Sequence, residues 1–295
     1  MIQPPTSQIP GIYRRRIGDI VVTALSDGFL DGALDVLRNI TPEETGRILA
    51  DNFRPGRRTS VNGFAIHSAG RLALIETGCG TYMTPTSGFL RRNLLASGID
   101  PNDVEAVLLT HMHPDHSAGL SDTRSFTPFF PNAELVVHEN EPRHWLDDGA
   151  MARATEREKK LYFQCAREQI APYRDRMRTF AGEREVFPGI TAIPVPGHTP
   201  GHTAYLIASG KEQLLIWGDT VHVPEIQIPR PEVTIAFDTD PQAAADTRRR
   251  VFDRVATDKL LVAGMHLHFP GFAHLVRGPA GYALMPEPWV QFLDK

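Results

Sequence analysis

Seven consecutive residues, Thr110-His111-Met112-His113-Pro114-Asp115-His116, constrain this chain more than any other stretch. They place four potential metal ligands within six residues, between the apolar run Val104 to Leu109 and Ser117-Ala118-Gly119-Leu120. The apolar run reads as a buried strand and the residues that follow as the opening of a helix. A strand end is a rigid place to hang ligands. His111 and His113 differ by two, so in extended chain they point to the same side and can share a metal. Pro114 bends the chain, which lets Asp115 and His116 reach a second position. Imidazole and carboxylate side chains are the ligands such sites use.

The rest of the chain supplies further segments of the same kind. Ile17 to Leu25 reads as a strand followed by an Asp27-Gly28 turn. Thr41-Pro42-Glu43-Glu44 is a helix start, with a Thr cap, Pro at the first helical position and Glu three residues after the cap; the helix is expected to run to about Ala50. Gly63 to His67 and Leu72 to Glu76 read as a hairpin around Ser68-Ala69-Gly70. Phe89 to Ala96 reads as a helix stopped by Gly98. Glu134 to His138 is a strand, and 154–178 a long charged helical stretch, expected to form part of a cap over the site. Ile190 to Val195 leads into Pro196-Gly197-His198-Thr199-Pro200-Gly201-His202. A second hairpin, Ala204 to Ala208 and Gln213 to Trp217, delivers Gly218-Asp219. A helix starts at Asp240-Pro241, and Leu260 to Ala263 ends at Gly264-Met265-His266-Leu267-His268. Alternating strands and helices with recurrent hairpins predict an α/β fold of the layered αββα kind, a four-layer sandwich. With no linker and no repeat, residues 1–295 read as a single domain, with 1–12 as an N-terminal arm.

Composition narrows the function. The chain has 295 residues, 41% of them hydrophobic, and a formal net charge of -4. That is ample for a core and offers no basic footprint for nucleic acid. Arg14-Arg15-Arg16 and Arg248-Arg249-Arg250 read as solvated faces. Cys79 and Cys165 are far apart and belong to no CxxC pair, which fits a reduced, cytoplasmic setting. Met1 to Ile12 has no apolar core of a signal peptide, and no stretch approaches the length of a membrane span.

Four ligand segments therefore stand out: His111/His113/Asp115/His116, His198, Asp219 and His266. Each follows an apolar strand-like run. With its HxHxDH loop and its later His, Asp and His, the chain resembles a metallo-β-lactamase-fold hydrolase over about residues 17–288. Within that superfamily, Leu109-Thr-His-Met-His-Pro-Asp-His116, Val195-Pro-Gly-His-Thr-Pro-Gly-His-Thr203, Trp217-Gly-Asp-Thr-Val-His222 and His266-Leu-His-Phe-Pro-Gly271 resemble the methyl parathion hydrolase and quorum-quenching lactonase branch.

The resemblance implies two divalent metal ions, zinc first, with manganese, iron or cobalt as alternatives. His111, His113 and His198 would hold one, Asp115, His116 and His266 the other, and Asp219 would bridge them. Two dications can bring the pKa of a shared water from about 16 towards about 7, giving a bridging hydroxide as nucleophile. Asp115 is also expected to relay a proton. His222 stands where many acyl-homoserine lactonases have a tyrosine that holds the substrate carbonyl, and is read as a second catalytic candidate. Trp145, Ile235 and Phe237 are expected beside it as pocket walls. His266 rather than His268 aligns with the ligand, and His202 is expected to hydrogen-bond within its loop. One departure is Glu76-Thr77-Gly78, where the superfamily usually has Asp-Thr-Gly; that acid supports a metal-bound histidine in relatives.

The expected activity is the opening of lactones or activated esters. The substrate would be a small, uncharged and fairly apolar lactone, ester or organophosphate, and a homodimer is expected by resemblance. The first alternative is a phosphotriesterase of the methyl parathion hydrolase type. A catalytically inactive metal-binding module is the alternative from another class. A glutathione thioesterase would want a basic tail, which Pro286 to Lys295 does not offer.

Overall fold

Two seven-stranded sheets lie face to face in the computed structural model, which describes residues 2–293 apart from Thr84, Thr123, Phe126 and Ala280. Met1 of the expected arm, and Asp294 and Lys295 at the end of the expected domain, lie outside the described residues. The first sheet contains, in spatial order, β1 (Ile12–Ile17), β2 (Ile20–Gly32), β3 (Arg57–Ser68), β4 (Arg71–Ile75), β5 (Ala106–Leu108), β6 (Glu134–His138) and β7 (Met177–Phe180). The second contains β8 (Arg184–Phe187), β9 (Ile190–Pro194), β10 (Thr203–Ser209), β11 (Glu212–Ile216), β12 (Leu261–Ala263), β13 (Phe272–Gly278) and β14 (Gly281–Pro286).

The period-2 alternation of the strands builds the layers. Ala73, Ile75, Ala106 and Leu108 meet Ile207, Leu214, Ile216 and Ala263 in the core between the sheets. Their neighbours Leu72, Leu74 and Val107 point outward, against Leu90 and Leu94 of the helix Leu90–Ala96 and against Phe163 and Ile170. On the far face of the second sheet, Leu215 and Val262 pack on Val251, Phe252 and Val255 of the long helix Pro241–Asp258. The expected four-layer αββα sandwich is the observed fold.

Several local expectations hold with shifted bounds. Thr41 Oγ1 accepts from the Glu44 amide at 3.2 Å and caps the helix Pro42–Asp51. Asp240 accepts from the Ala243 amide at 3.0 Å and caps the helix Pro241–Asp258, which ends on Lys259 in the left-handed region.

Others need correction. Asp27-Gly28 is not a turn: β2 continues through it to Gly32, with a register shift against β3 between Ser26 and Gly28. The Asp27 carboxylate is buried and accepts from the amides of Cys79, Gly88 and Leu90, each at 2.9 Å. Ile12, counted with the arm, already belongs to β1. The stretch 154–178 is helical from Glu156 to Arg176, as expected, but changes helix type along its length. A turn of α-helix at Glu156–Glu158, a π-helical segment Lys159–Gln164 and an α-helix Cys165–Ile170 run on into a 3-10 turn Ala171–Arg176. Pro172 cannot donate to a continuing helix, and Met177 starts β7. Arg248 is not on a solvated face. It is 1% exposed and donates to the carbonyls of Thr220, Pro231 and Val233. Cys79 and Cys165 are both buried and unpaired. Among the described residues no helix is long and apolar enough to cross a membrane.

Candidate metal centre

Parallel pairing brings the ligand segments to one edge. Ile75 of β4 pairs with Leu108 of β5, and Ile216 of β11 with Ala263 of β12. The residues just beyond these strand ends are Glu76, His111, Asp219 and His266. Strand ends of this kind are where α/β sheets place their sites. The β9–β10 loop adds His198, and its end is tied to the first sheet where the Thr203 amide donates to the Thr110 carbonyl at 2.9 Å. Two further clamps hold the sheets in register: Tyr205 donates its hydroxyl to Leu109 O at 2.7 Å, and Asn62 Nδ2 donates to Leu267 O at 2.8 Å.

The result is a buried cluster of imidazoles around two carboxylates. One ligand atom each from His111, His113, His198 and Asp219 lies within 4.8 Å of the others, as do those of Asp115, His116 and His266. Asp219 Oδ2 is 3.2 Å from both His198 Nε2 and His266 Nε2, and Oδ1 is 3.2 Å from His116 Nε2. His222 Nε2 also reaches Asp219 Oδ2, at 3.0 Å, and its ring stacks on His266.

The donor set fits divalent cations, and the reason is in its protons. His266 Nδ1 lies 2.7 Å from the carbonyl of Ser60, which can only accept, so that nitrogen carries the hydrogen. His198 Nδ1 faces the Asp238 carboxylate at 2.8 Å, and His116 Nδ1 lies 3.3 Å from Glu76 Oε2. In each ring the other nitrogen turns towards the carboxylates of the cluster; burial opposes the charged form, but Asp219 and its neighbouring acids raise the pKa of all three rings, that of His198 to about 9. His113 Nδ1 is 3.0 Å from both His111 Nε2 and His198 Nε2. Burial pushes His111 and His113 well below the usual histidine range, so both rings are neutral. Ring nitrogens that converge on carboxylates and on each other form a donor set that a cation would satisfy. His116 Nε2 and Asp219 Oδ1 have no hydrogen-bond partner of their own. Outer acceptors that fix the tautomer of inner histidines are the usual support of a metal site.

Glu76 sits where the usual aspartate would. Its φ of 68° is in the left-handed region, costly for a side chain with a Cβ. It holds the Thr110 amide at 2.7 Å with Oε1 and turns Oε2 towards His116. The longer side chain therefore reaches both the strand end and the histidine. Gly218, at φ 57°, is required for a related reason: a Cβ there would lie 2.3 Å from His202 Nε2, which accepts from the Asp219 amide at 2.9 Å. His202 is thus a brace within its loop, bonded also to Val195 O. His268 turns away to Glu225, at 2.6 Å.

A cavity of about 530 Å³ opens over the cluster. His113, Asp115, His198, Asp219, His222 and His266 form its floor. Of the expected walls only Phe237 lines it. Trp145 and Ile235 are buried behind. Trp145 packs 5.3 Å from the His113 ring and donates its indole hydrogen to Glu141, and Ile235 belongs to a core with Leu37 and Val223. Their apolar character was core character. Leu30, Val36, Leu161 and Tyr162 line the cavity instead, the last two from the π-helical segment.

Two buried acids escaped the sequence reading. Asp238 fixes His198. Glu141 is fully buried and accepts from the amides of Met112 and Gly201 and from Trp145, so it joins the two histidine loops. A signal exists for Asp238, which lies between the apolar Phe237 and the cap of a helix, but no spacing rule picks it out.

The model of the metallo-beta-lactamase superfamily matches residues 56–266, and this chain belongs to that superfamily. A probable metallo-hydrolase of Mycobacterium tuberculosis is 30% identical over 143 residues, 44% of this chain and 41% of that protein. The N-acyl homoserine lactonase AttM of Azorhizobium caulinodans is 29% identical over 126 residues, 41% of this chain and 42% of that protein. The chain thus spans about two fifths of the length of these curated relatives. Among solved structures, the hydrolase AbOPH of the beta lactamase superfamily superposes with a TM-score of 0.89 at 31% identity, over 97% of this chain and 100% of that one. AidC, a dizinc quorum-quenching lactonase, shares the fold with a TM-score of 0.88 at 24% identity, over 96% and 99%.

Proposed function

We propose that this protein is a dinuclear metal-dependent hydrolase that opens lactones or activated esters. The observation that carries the reading is the placement of the rings: His198 and His266 each have one nitrogen on an acceptor outside the cluster and the other turned inward, and His116 Nδ1 lies 3.3 Å from Glu76 Oε2 with its Nε2 turned inward. His111, His113 and His198 would hold one divalent ion, Asp115, His116 and His266 the other, with Asp219 between them. Zinc suits this donor set, and manganese, iron or cobalt are accommodated by the same ligands. When bound, such a pair supplies Lewis acidity and brings the pKa of water to near neutrality.

The chain's own residues orient and exclude. Asp115, with its side chain 15% exposed at the cavity floor, is the carboxylate that can take a proton from water and pass it to the departing oxygen. His222 lines the cavity floor with its Nε2 3.0 Å from Asp219 Oδ2, and is the histidine that would meet an oxygen of the substrate. Leu30, Val36 and Phe237 line the space above and limit water. The similarity to AttM supports lactones as the first substrate class. A homodimer belongs to the same reading through the resemblance, and a cytoplasmic setting through the two buried, unpaired cysteines.

The test is a hydrolysis panel of γ- and δ-lactones, aryl esters and methyl parathion, run on metal-loaded protein beside His113→Ala. Lactone or ester turnover that the variant loses is the expected result. Phosphotriester turnover above every lactone by orders of magnitude would put the phosphotriesterase first. Equal rates in parent and variant would leave only an inactive binding module.

A further inference from the structure

The cavity wall carries three arginines, Arg38, Arg57 and Arg157, and none of them has a carboxylate within salt-bridge distance among the described residues. The wall acids are otherwise engaged. Asp31 forms a two-point pair with Arg58, at 2.8 and 2.9 Å, and Glu158 accepts from the Thr155 amide and hydroxyl, both at 2.8 Å. Only Asp35 is unpaired, and it is exposed. Arg57 is the most enclosed of the three arginines. Its Nε donates to Ala33 O at 2.9 Å and its Nη1 to Thr59 Oγ1 at 3.4 Å, so the guanidinium is held in place while Nη2 has no partner. The chain makes room for it: a Cβ on Gly32 would lie 1.5 Å from Arg57 Nη2. Arg157 stands over the Phe237 ring at 5.9 Å. A planar guanidinium with an open edge matches a carboxylate or phosphate oxygen pair better than a neutral chain does. Asp115 of the floor, Asp31 and Asp35 act on Arg57 only from beyond salt-bridge distance, and Arg157 adds a like charge, so a half-buried guanidinium held this way suits an anion at its open edge.

We infer that Arg57, with Arg157 beside it, is an anion-binding subsite, and that the substrate is a lactone or ester carrying a carboxylate-type group away from its scissile bond. This rests on the hydrolase reading and narrows it, since the uncharged, apolar substrate expected from the resemblance would leave both guanidiniums unused.

The test compares 4-nitrophenyl esters of succinate, glutarate and adipate as monoanions with the corresponding methyl esters, on the metal-loaded protein. The parent should prefer one monoanion over its methyl ester by roughly 10- to 100-fold in kcat/KM, the scale of a charge-assisted hydrogen bond. Arg57→Met should collapse that ratio towards one, Arg57→Lys should keep part of it, and Gly32→Ala, which keeps the charge but fills its seat, should lower it as well. A parent without preference for any monoanion, or an Arg57→Met variant that keeps the full ratio, overturns the subsite. Because the readout is a ratio, general damage to the fold does not imitate it. If neither these esters nor any lactone is turned over, calorimetric binding of glutarate decides: binding that Arg57→Met abolishes keeps the subsite while the hydrolase reading falls, and no binding, or binding the variant retains, overturns the subsite too.

Discussion

The floor of the cavity and its walls are built in opposite ways. The histidines and Asp219 of the floor are at most 5% exposed and hang from strand ends, and His198 and His266 are fixed by partners behind them. The walls come from the ends of β2 and β3, the π-helical segment and the loop before Pro241, and Arg38, Asp31, Asp35 and Arg157 are exposed. Rigid elements give a site its geometry, while loops give it variety. Under the proposed function, chemistry belongs to the floor and selection to the walls.

Floor and walls differ most at Asp219, whose carboxylate lies within 3.7 Å of His111 and closer to four other histidines. Asp219→Ala should cut metal content and hydrolysis by more than the roughly 10- to 100-fold that loss of a supporting partner costs. Metal analysis and initial rates check this, and retention of both would show that the carboxylate does not join the two halves. Asp238→Asn should fall in that roughly 10- to 100-fold range of metal affinity, read by competition with a chelator, since only the brace on His198 is weakened. Phe237→Ala should leave metal content intact and change KM by roughly 10-fold, the worth of a few apolar contacts. A loss of metal in that variant would erase the distinction between floor and wall.

Stability gives the smaller effects. Arg248→Met leaves the carbonyls of Thr220, Pro231 and Val233 without their donor, so urea unfolding should report a loss of about 2–4 kcal/mol. Glu225 is the smallest. Burial opposes its charge, but His268 and Arg54 hold its carboxyl down at about 2. A depressed folded pKa stabilises above the ordinary carboxylate range and is lost as pH falls through the folded value. Glu225→Gln should therefore cost about 1–2 kcal/mol at pH 7, and the difference from the parent should shrink as pH falls from 5 to 3.

What could be read in the sequence follows the same division. His111 to His116, His198, Asp219 and His266 each lie in a short motif just past an apolar strand, so local pattern sufficed to place them at one edge. The layered fold followed from strand alternation, as at Leu72 to Ile75. Asp238, Glu141 and Asn62 carry no such pattern, because their partners are distant in sequence and their role exists only once the sheets pack. Trp145 and Ile235 misled because a buried apolar residue looks the same whether it faces a cavity or a core. Arg248 misled because a run of three arginines on a helix shows its charge but not which of its faces is buried.

If the floor is a two-ion centre as proposed, metal stoichiometry shows it. Protein reconstituted with zinc and freed of excess should hold about two ions per chain, and chelation should abolish hydrolysis and lower the melting temperature, since ligand binding to the folded state alone adds to its stability. Protein that retains no metal after reconstitution, or that hydrolyses its substrate at full rate after chelation, would contradict the account.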